Sequence, residues 1–215
     1  MKGLLRKELY GLWSLYRKTL PMIAILYAVL ELTTGNDFFL YFGVWVMMFY
    51  SVSTLSLDDS SGWNRYVKTL PVSSVQVVGA KFLASIFYVG LGLVYGIVLG
   101  GARRIISGEG DYAGLVVGLV VVAFLTSVMM FAMYPFSFRF GLEKARNGLL
   151  VVWVALFGGI FLFGKQLEAA LPLETVLGSM ETHPMLWVGG FIGSALAIMA
   201  LCFLASCRIY QKKEF

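Results

Sequence analysis

The sequence predicts an all-α polytopic membrane protein with six transmembrane helices, an N-terminal amphipathic interfacial helix and a short cytoplasmic helix. Its 215 residues have a mean hydropathy of +0.82. Only 13% of them are charged, about half the share found in soluble domains. Apolar runs of roughly 20 residues, the length that crosses a bilayer core, recur along the chain. Composition and recurrence together predict a single transmembrane domain over residues 1–215.

Residues 1–19 are predicted to form an amphipathic helix that lies in the membrane interface. On a helical wheel the basic residues fall on one half and the apolar residues on the other, and Glu8 is the one charge that intrudes on the apolar face. A basic face opposite an aliphatic and aromatic face is typical of interfacial helices. A soluble packing helix is the alternative.

Six apolar runs follow, and each predicts one transmembrane span. They cover residues 20–32, 38–57, 82–100, 114–134, 148–164 and 185–206. The first and the fifth are shorter than a standard span. Apart from Glu31, the acidic residues fall in predicted loops, so ionisable groups are expected to be almost absent from the spans. This scarcity argues against a carrier that is driven by an ion gradient.

The distribution of basic residues predicts the orientation of the chain. If the N-terminus is cytoplasmic, only three of the 17 Lys and Arg residues, namely Arg103, Arg104 and Lys165, fall outside. This asymmetry follows the positive-inside rule, and an even number of spans then places both termini in the cytoplasm. The spans form three pairs joined by two cytoplasmic loops: pairs at 20–57, 81–134 and 148–215, and loops at 58–80 and 135–147. Topology explains the net charge of +5, so no nucleic-acid partner is expected.

Glycine recurs at every fourth position in three of the runs. The residues are Gly92, Gly96 and Gly100, then Gly114 and Gly118, and then Gly189 and Gly193. Small residues at this spacing let helix backbones approach closely within a bilayer. We therefore expect tight packing inside the bundle rather than one dedicated dimer face.

Residues 165–184 form the longest predicted outer loop. Apolar residues recur at helical spacing on both sides of Pro172. This pattern predicts two brief interfacial helices that turn back toward the membrane. An irregular, solvated loop is the alternative.

The polar loop at 58–80 contains a short predicted helix. We expect Ser60 or Ser61 to cap its N-terminus, with residues 62–65 in its first turn. Pro71 ends this helix, since the residue before a proline disfavours the helical conformation. The serines at 73–74 can then cap the helix of the third span.

Two aromatic residues of this short helix are candidates for protein recognition. Trp63 and Tyr66 are three residues apart and are predicted to share one face. Trp and Tyr beside an arginine, here Arg65, form the residue mixture that anchors protein interfaces. The alternative is that both rings lie in the headgroup region of the bilayer.

No catalytic, metal or nucleotide site is predicted within the chain. His183 is the single histidine and has no second candidate ligand nearby. Residues 159–166, GIFLFGKQ, resemble a phosphate-binding loop, but Gln166 stands where a hydroxyl residue would hold magnesium. We therefore expect no enzymatic activity and no bound cofactor.

Three stretches carry a family resemblance. They are residues 62–83, GWNRYVKTLPVSSVQVVGAKFL, residues 134–148, YPFSFRFGLEKARNG, and the start of the chain, MKGLLRKELYGL. The first is similar to W-x-R-Y…LP-[VI]-S…K and the second to P-x-x-[FY]-[KR]-[FY]-G-x-EK-[GA]-R. Both patterns are those of the type-2 ATP-binding-cassette permeases of bacteria. The resemblance covers essentially the whole chain.

The resemblance implies a pair of such permeases, each docked on a separate cytoplasmic ATPase that binds ATP and Mg. It implies that the short helix and the residues after it couple the permease to the ATPase: Gly62, Trp63, Asn64, Arg65, Tyr66, Leu70 and Pro71. It also implies a second cytoplasmic motif: Phe140, Gly141, Glu143, Lys144 and Arg146. Many members carry a charged residue where this chain has Gly62, which puts the start of the helix and the choice of partner in question. Residues 1–19 would be the elbow helix, and residues 165–184 a re-entrant pair.

On this resemblance we predict the permease subunit of an ATP-driven exporter in a bacterial cell membrane. Members of this kind export phenol-soluble modulins or confer resistance to peptide antibiotics, so an amphipathic or hydrophobic peptide is the expected substrate. The alternative is an ATPase-independent membrane protein, either a secondary carrier or an immunity protein that binds a toxin. A neighbouring gene for an ATPase with a complete phosphate-binding loop would favour the exporter.

Overall fold

The computed structural model describes residues 2–108, 110–148, 150–152, 154–155, 158–159, 178–179, 182 and 184–212. The helices of this part of the chain are α1 (Lys2–Tyr16), α2 (Thr19–Thr34), α3 (Asp37–Phe49), α4 (Ser53–Ser60), α5 (Trp63–Tyr66), α6 (Ser74–Ser107), α7 (Tyr112–Phe140) and α8 (Pro184–Lys212). Single 3-10 turns follow α3 and α5, at Tyr50–Val52 and Val67–Thr69. The described residues between 142 and 159 are helical as well.

Within the described residues, four helical segments are long and apolar enough to cross a membrane: Asp37–Ser60, Ser74–Ser107, Tyr112–Phe140 and Met185–Lys212. They contain the second, third, fourth and sixth predicted spans, which are confirmed as apolar helices. The first predicted span lies in α2, which is apolar but has only 16 residues. The fifth predicted span falls partly outside the described residues, and the outer loop at 165–184 falls almost entirely outside them.

Capping interactions explain why the helices extend beyond the apolar runs. The hydroxyl of Ser73 accepts a hydrogen bond from the backbone N–H of Gln76 at 3.3 Å, and the Gln76 side chain accepts one from the Ser73 N–H at 3.2 Å. This capping box starts α6 at Ser74, well before the predicted span. The predicted serine cap is therefore confirmed, and residues 74–80 belong to a helix rather than to a loop.

α6 is the central helix of the described bundle and contacts α1, α3, α7 and α8. Two ring contacts show that α7 and α8 run parallel. The ring of Phe124 lies 5.2 Å from that of Phe191, and further along both helices the ring of Phe138 lies 5.3 Å from that of Tyr210. A parallel pair is what the predicted topology requires of the fourth and sixth spans.

Glycines allow α6 to approach its neighbours closely. A Cβ atom at Gly96 would lie 2.9 Å from Cγ2 of Val44 in α3 and would overlap Leu119 in α7. Gly100 is confined in the same way by Leu40 of α3 and Leu115 of α7, and Gly92 is confined by Met48 of α3. The predicted close packing is confirmed for these three glycines.

The other glycine pairs differ from each other. Gly118 faces the phenol of Tyr41, so it also marks a close contact between helices. Gly114 faces Asp111, whose carboxylate caps the start of the same helix. Gly189 and Gly193 have no described atom close to them, so among the described residues the glycines of α8 do not mark a close approach, although α8 packs against α7 and α6.

Ionic contacts mark the two ends of the bundle. At the Arg103 end, where α2 and α6 finish and α3 begins, Arg103 pairs with Asp37 and donates to the carbonyl of Gly35 at 2.7 Å. Arg104 pairs with the same Asp37 at 3.2 Å. The opposite end, which we call the Lys81 end, comprises α1, α4, α5, the start of α6 and the finish of α7. At the Arg103 end, ion pairs of two arginines thus join α6 to the start of α3, where the apolar stretches stop.

We expect Gly96→Val to destabilise the bundle by about 1 to 3 kcal/mol, because the added side chain has no space between α3 and α7. Thermal unfolding of the purified protein in detergent measures this change. Gly90→Val, at an exposed and open position of the same helix, is the matched control and should leave the unfolding temperature almost unchanged. Equal effects of the two substitutions would contradict the packing described for α6.

Candidate functional site

A glycine separates α5 from α4. Gly62 has φ +67° and ψ +15°, a left-handed conformation that glycine adopts without steric cost. Its carbonyl accepts hydrogen bonds from the N–H groups of Arg65 and Tyr66 at 3.1 and 3.3 Å. Leu70 is extended, with ψ 148°, as expected for the residue before Pro71. The predicted short helix and its end are confirmed.

The predicted serine cap of this helix is wrong. α4 continues to Ser60, and the hydroxyls of Ser60 and Ser61 both donate to the carbonyl of Leu57, at 3.1 and 2.6 Å. At a helix C-terminus the last carbonyl groups lack backbone partners, and nearby hydroxyls bond to them. The two serines therefore close α4, and no side chain caps α5.

One buried residue anchors α5 and leaves an exposed surface beside it. Val67 is 2% exposed and belongs to the hydrophobic core. Trp63 is half-buried, Tyr66 is 57% exposed, and their ring centroids are 5.6 Å apart, so the predicted shared face is confirmed. Four of the predicted coupling residues are exposed, and we call them the α5 surface: Gly62, Arg65, Tyr66 and Pro71.

Four charged residues meet beneath α5, and we call them the ion cluster: Lys7, Glu8, Asp58 and Lys81. Lys7 and Lys81 both form ion pairs with Asp58. Both also approach Oε1 of Glu8, at 3.1 and 3.3 Å. The side chains of Glu8, Asp58 and Lys81 are 4%, 1% and 1% exposed, and that of Lys7 is 31% exposed. The ion cluster is electrically neutral, and it joins α1, α4 and α6.

The ion cluster is in contact with α5 through Lys7. The ammonium nitrogen of Lys7 lies 4.5 Å from the centroid of the Trp63 ring, which is a cation–π distance. Beside it, the amide of Asn64 donates to Oδ1 of Asp59 at 2.8 Å. Both contacts join α5 to the segments around it, so the orientation of α5 is fixed on two sides.

Hydroxyl groups extend this polar region into α7. The hydroxyl of Ser85 donates to the backbone carbonyl of Lys81 at 3.1 Å and lies 2.5 Å from the phenol oxygen of Tyr134. Ser85 and Tyr134 are completely buried. A continuous set of contacts thus leads from the exposed Tyr66, through the Trp63 ring and the ion cluster, to the interior of α7.

The second predicted motif lies at the same end of the bundle. Phe140 ends α7 and is 49% exposed, and Gly141 follows it with φ +86°. Glu143, Lys144 and Arg146 are all exposed. The structure brings both motifs to the Lys81 end, which the resemblance implies for two cytoplasmic segments.

Asp58 and Lys81 lie one residue outside the predicted spans at 38–57 and 82–100, so the ion cluster does not contradict the expectation that the spans hold almost no ionisable groups. It shows instead that charges expected in solvated segments are buried in helices. Asp58 lies in α4, at the end of a continuous helical segment that starts at Asp37, and Lys81 lies in α6. Glu31 is fully buried in α2. The signal for the cluster was Glu8, the one charge on the apolar face of α1. A charge in that place is buried and needs partners of opposite sign.

We expect Lys81→Met to destabilise the protein by about 3 to 5 kcal/mol, because it leaves two buried carboxylates with one lysine. Adding Asp58→Asn restores neutrality, so the double variant should lose less than the sum of the two single losses. Thermal unfolding in detergent checks both statements, with Lys212→Met at an exposed position as control. Additive losses would show that the two residues do not interact.

A comparison with models of protein families identifies the chain. The model described as ABC-2 family transporter protein matches residues 3–211, nearly the whole length. Searches of the curated proteins and of the solved structures gave no match. The family implies a multi-pass membrane permease that works with an ABC ATPase, in agreement with the apolar helices described above. The chain therefore belongs to the ABC-2 transporter family.

Proposed function

We propose that this protein is the permease subunit of a bacterial ATP-driven exporter and that α5 is its coupling helix. In this proposal the Lys81 end faces the cytoplasm, α1 is the elbow helix in the membrane interface, and both termini are cytoplasmic. Two copies of the chain pair, and each binds one ATPase subunit. The ATPase subunits bind ATP and Mg and carry out hydrolysis, so this chain is not itself an enzyme.

The observation that carries the proposal is the combination of anchoring and exposure in α5. Val67 fixes the segment in the core, while Arg65 and Tyr66 remain accessible on a single helical turn. Exposed Tyr and Arg residues on a fixed element supply binding energy without a large cost in conformational entropy. Closure of the ATPases on ATP would press on α5 and move the spans attached to it.

The second motif supports the same placement of the ATPase. Lys144 and Arg146 add positive charge at the Lys81 end, and Phe140 adds an exposed aromatic ring there. A partner surface with acidic residues would complement these cations. We propose that the second motif contacts the ATPase at the edge of the α5 interface.

The proposed substrate is an amphipathic or hydrophobic peptide. An apolar groove between α6, α7 and α8 supports this class; among the residues that line it are Leu93, Phe124, Phe131, Phe191, Leu196 and Met199. Aromatic and aliphatic walls bind the apolar face of an amphipathic helix and offer little to a sugar or an ion. Movement of such a peptide out of the cell is the direction that we propose.

We expect the double substitution Trp63→Ala and Tyr66→Ala to weaken binding of the ATPase roughly tenfold or more, because truncation removes the central aromatic residues of the interface. Co-purification of the ATPase with the tagged chain from its own membranes measures the loss. Arg65→Ala with Tyr66→Ala tests the exposed residues alone and leaves the half-buried Trp63 in place.

The matched control for this experiment replaces two exposed aromatic residues at the Arg103 end, Phe38→Ala and Tyr112→Ala. These should leave ATPase binding unchanged, since that end faces away from the cytoplasm in our proposal. Unchanged binding in the α5 variants would show that α5 is not the docking site. If the unaltered chain captures no ATPase, the ATPase-independent alternative is favoured.

We expect opposite sidedness for single cysteines introduced at the two ends of the bundle. In a background with Cys202→Ser and Cys207→Ser, Ile106→Cys should react in intact cells with a membrane-impermeant thiol reagent. Lys212→Cys, at the exposed end of α8 and outside the α5 surface, should react only after the cells are permeabilised. Both positions are exposed, so accessibility depends on the side of the membrane. The reverse pattern would contradict the proposed orientation.

A further inference from the structure

We propose that the ion cluster is a mechanical joint that transmits displacement of α5 to α1 and α6, and that Lys7 is its positioning residue. The inference rests on the proposed function, because the displacement comes from an ATPase docked on α5. It adds a pathway for that displacement. This pathway consists of side-chain contacts between α5, α1, α4 and α6, and it does not depend on which molecule is transported.

Consecutive contacts form this pathway. Tyr66 packs on Trp63, and the Trp63 ring lies beneath the ammonium group of Lys7. Lys7 shares Asp58 with Lys81, and so connects α5 to the start of α6. A force applied to the exposed ring of Tyr66 therefore reaches a buried lysine of the central helix through four contacts.

Gly62 and Asp58 lie where α4 meets α5, and their positions indicate how α5 could move relative to the ion cluster. Gly62 is the backbone link between α4 and α5, and the space around it is open. A displaced α5 can therefore rotate at this position once the hydrogen bond from Asn64 to Asp59 breaks. Asp58 is on the α4 side of that glycine and is buried in the ion cluster. Rotation of α5 about Gly62 would thus move Trp63 relative to Asp58, and Lys7 is the side chain between them.

The ion cluster has an unused acceptor that permits a second arrangement. Oε2 of Glu8 is buried, and no described residue forms a hydrogen bond with it. Oε1 of the same carboxylate already receives both lysines. A lysine displaced from Asp58 can therefore pair with Oε2 without entering an apolar environment, whereas an isolated buried charge would be costly. Two nearly equivalent arrangements of the same four charges are what a joint requires.

Lys7 is the residue best suited to a test. It is the most exposed member of the ion cluster, so its replacement disturbs folding less than that of Lys81. Lys7→Met keeps an apolar stem over Trp63 and removes the charge. Lys7→Arg keeps both the charge and the cation–π contact. Arg6→Met alters the neighbouring exposed base and is the matched control.

The experiment measures an ATP-dependent distance in the complex of the full chain with its ATPase, reconstituted in lipid nanodiscs. Spin labels are placed on Ile106→Cys of each copy, in the Cys202→Ser and Cys207→Ser background, and report the position of the far end of α6. Addition of ATP with a trapping anion should change the distance in the parent complex. The same change is expected with Lys7→Arg and with Arg6→Met.

For Lys7→Met we expect the ATPase to remain bound and to hydrolyse ATP, while the distance change at position 106 is lost. An unchanged response of Lys7→Met beside a responsive parent would overturn the joint and leave the proposed function standing. A parent chain that binds no ATPase would overturn the proposed function and the joint with it. Loss of ATPase binding in Lys7→Met, with the unfolding temperature preserved, would assign Lys7 to docking instead and would also overturn the joint.

Discussion

The Lys81 end of the molecule depends on the carboxylate of Asp58. This group is 1% exposed and binds two lysines, one from α1 and one from α6, while its own helix leads directly into α5. A buried carboxylate without cations would be too costly to keep charged, and buried lysines without carboxylates would be equally so. The positions of α1, α4 and α6 at this end are therefore mutually dependent. The half-buried Trp63 is oriented by the same set of charges.

The elements of the fold could largely be predicted from local patterns, whereas their tertiary contacts could not. Apolar runs predicted the helices, and the serines at 73–74 predicted the start of α6, because both are properties of neighbouring residues. The serines at 60 and 61 were misassigned, since the end of an apolar run does not show where the helix itself stops. Helix α4 continues past the apolar run to Ser60, and the N–H of Ser61 still donates a hydrogen bond to the carbonyl of Leu57.

The ion cluster could be predicted only in part for the same reason. Glu8 signalled a buried acid, but its partner Lys81 is 73 positions away in the sequence. Their meeting depends on the register of α1 against α6, which helical periodicity does not specify. Asp58 was assigned to a loop because it follows the apolar run. The shared face of Trp63 and Tyr66, by contrast, depends on residues within one turn, and their spacing was sufficient to predict it.

The distribution of contact types along the bundle determines where the helices can move. Ion pairs hold the helix ends, through Arg103 with Asp37 on one side and through the ion cluster on the other. Between these ends the glycines of α6 meet aliphatic and thioether side chains of α3 and α7, whose contacts have little directionality, while Tyr95 donates a hydrogen bond to the carbonyl of Ala24 in α2 at 2.9 Å. Directional contacts fix the register of a helix, and non-directional ones tolerate tilting. A displacement at the Lys81 end would then tilt α6 about its glycine-lined middle and move the Arg103 end, which is the movement that the proposed joint requires.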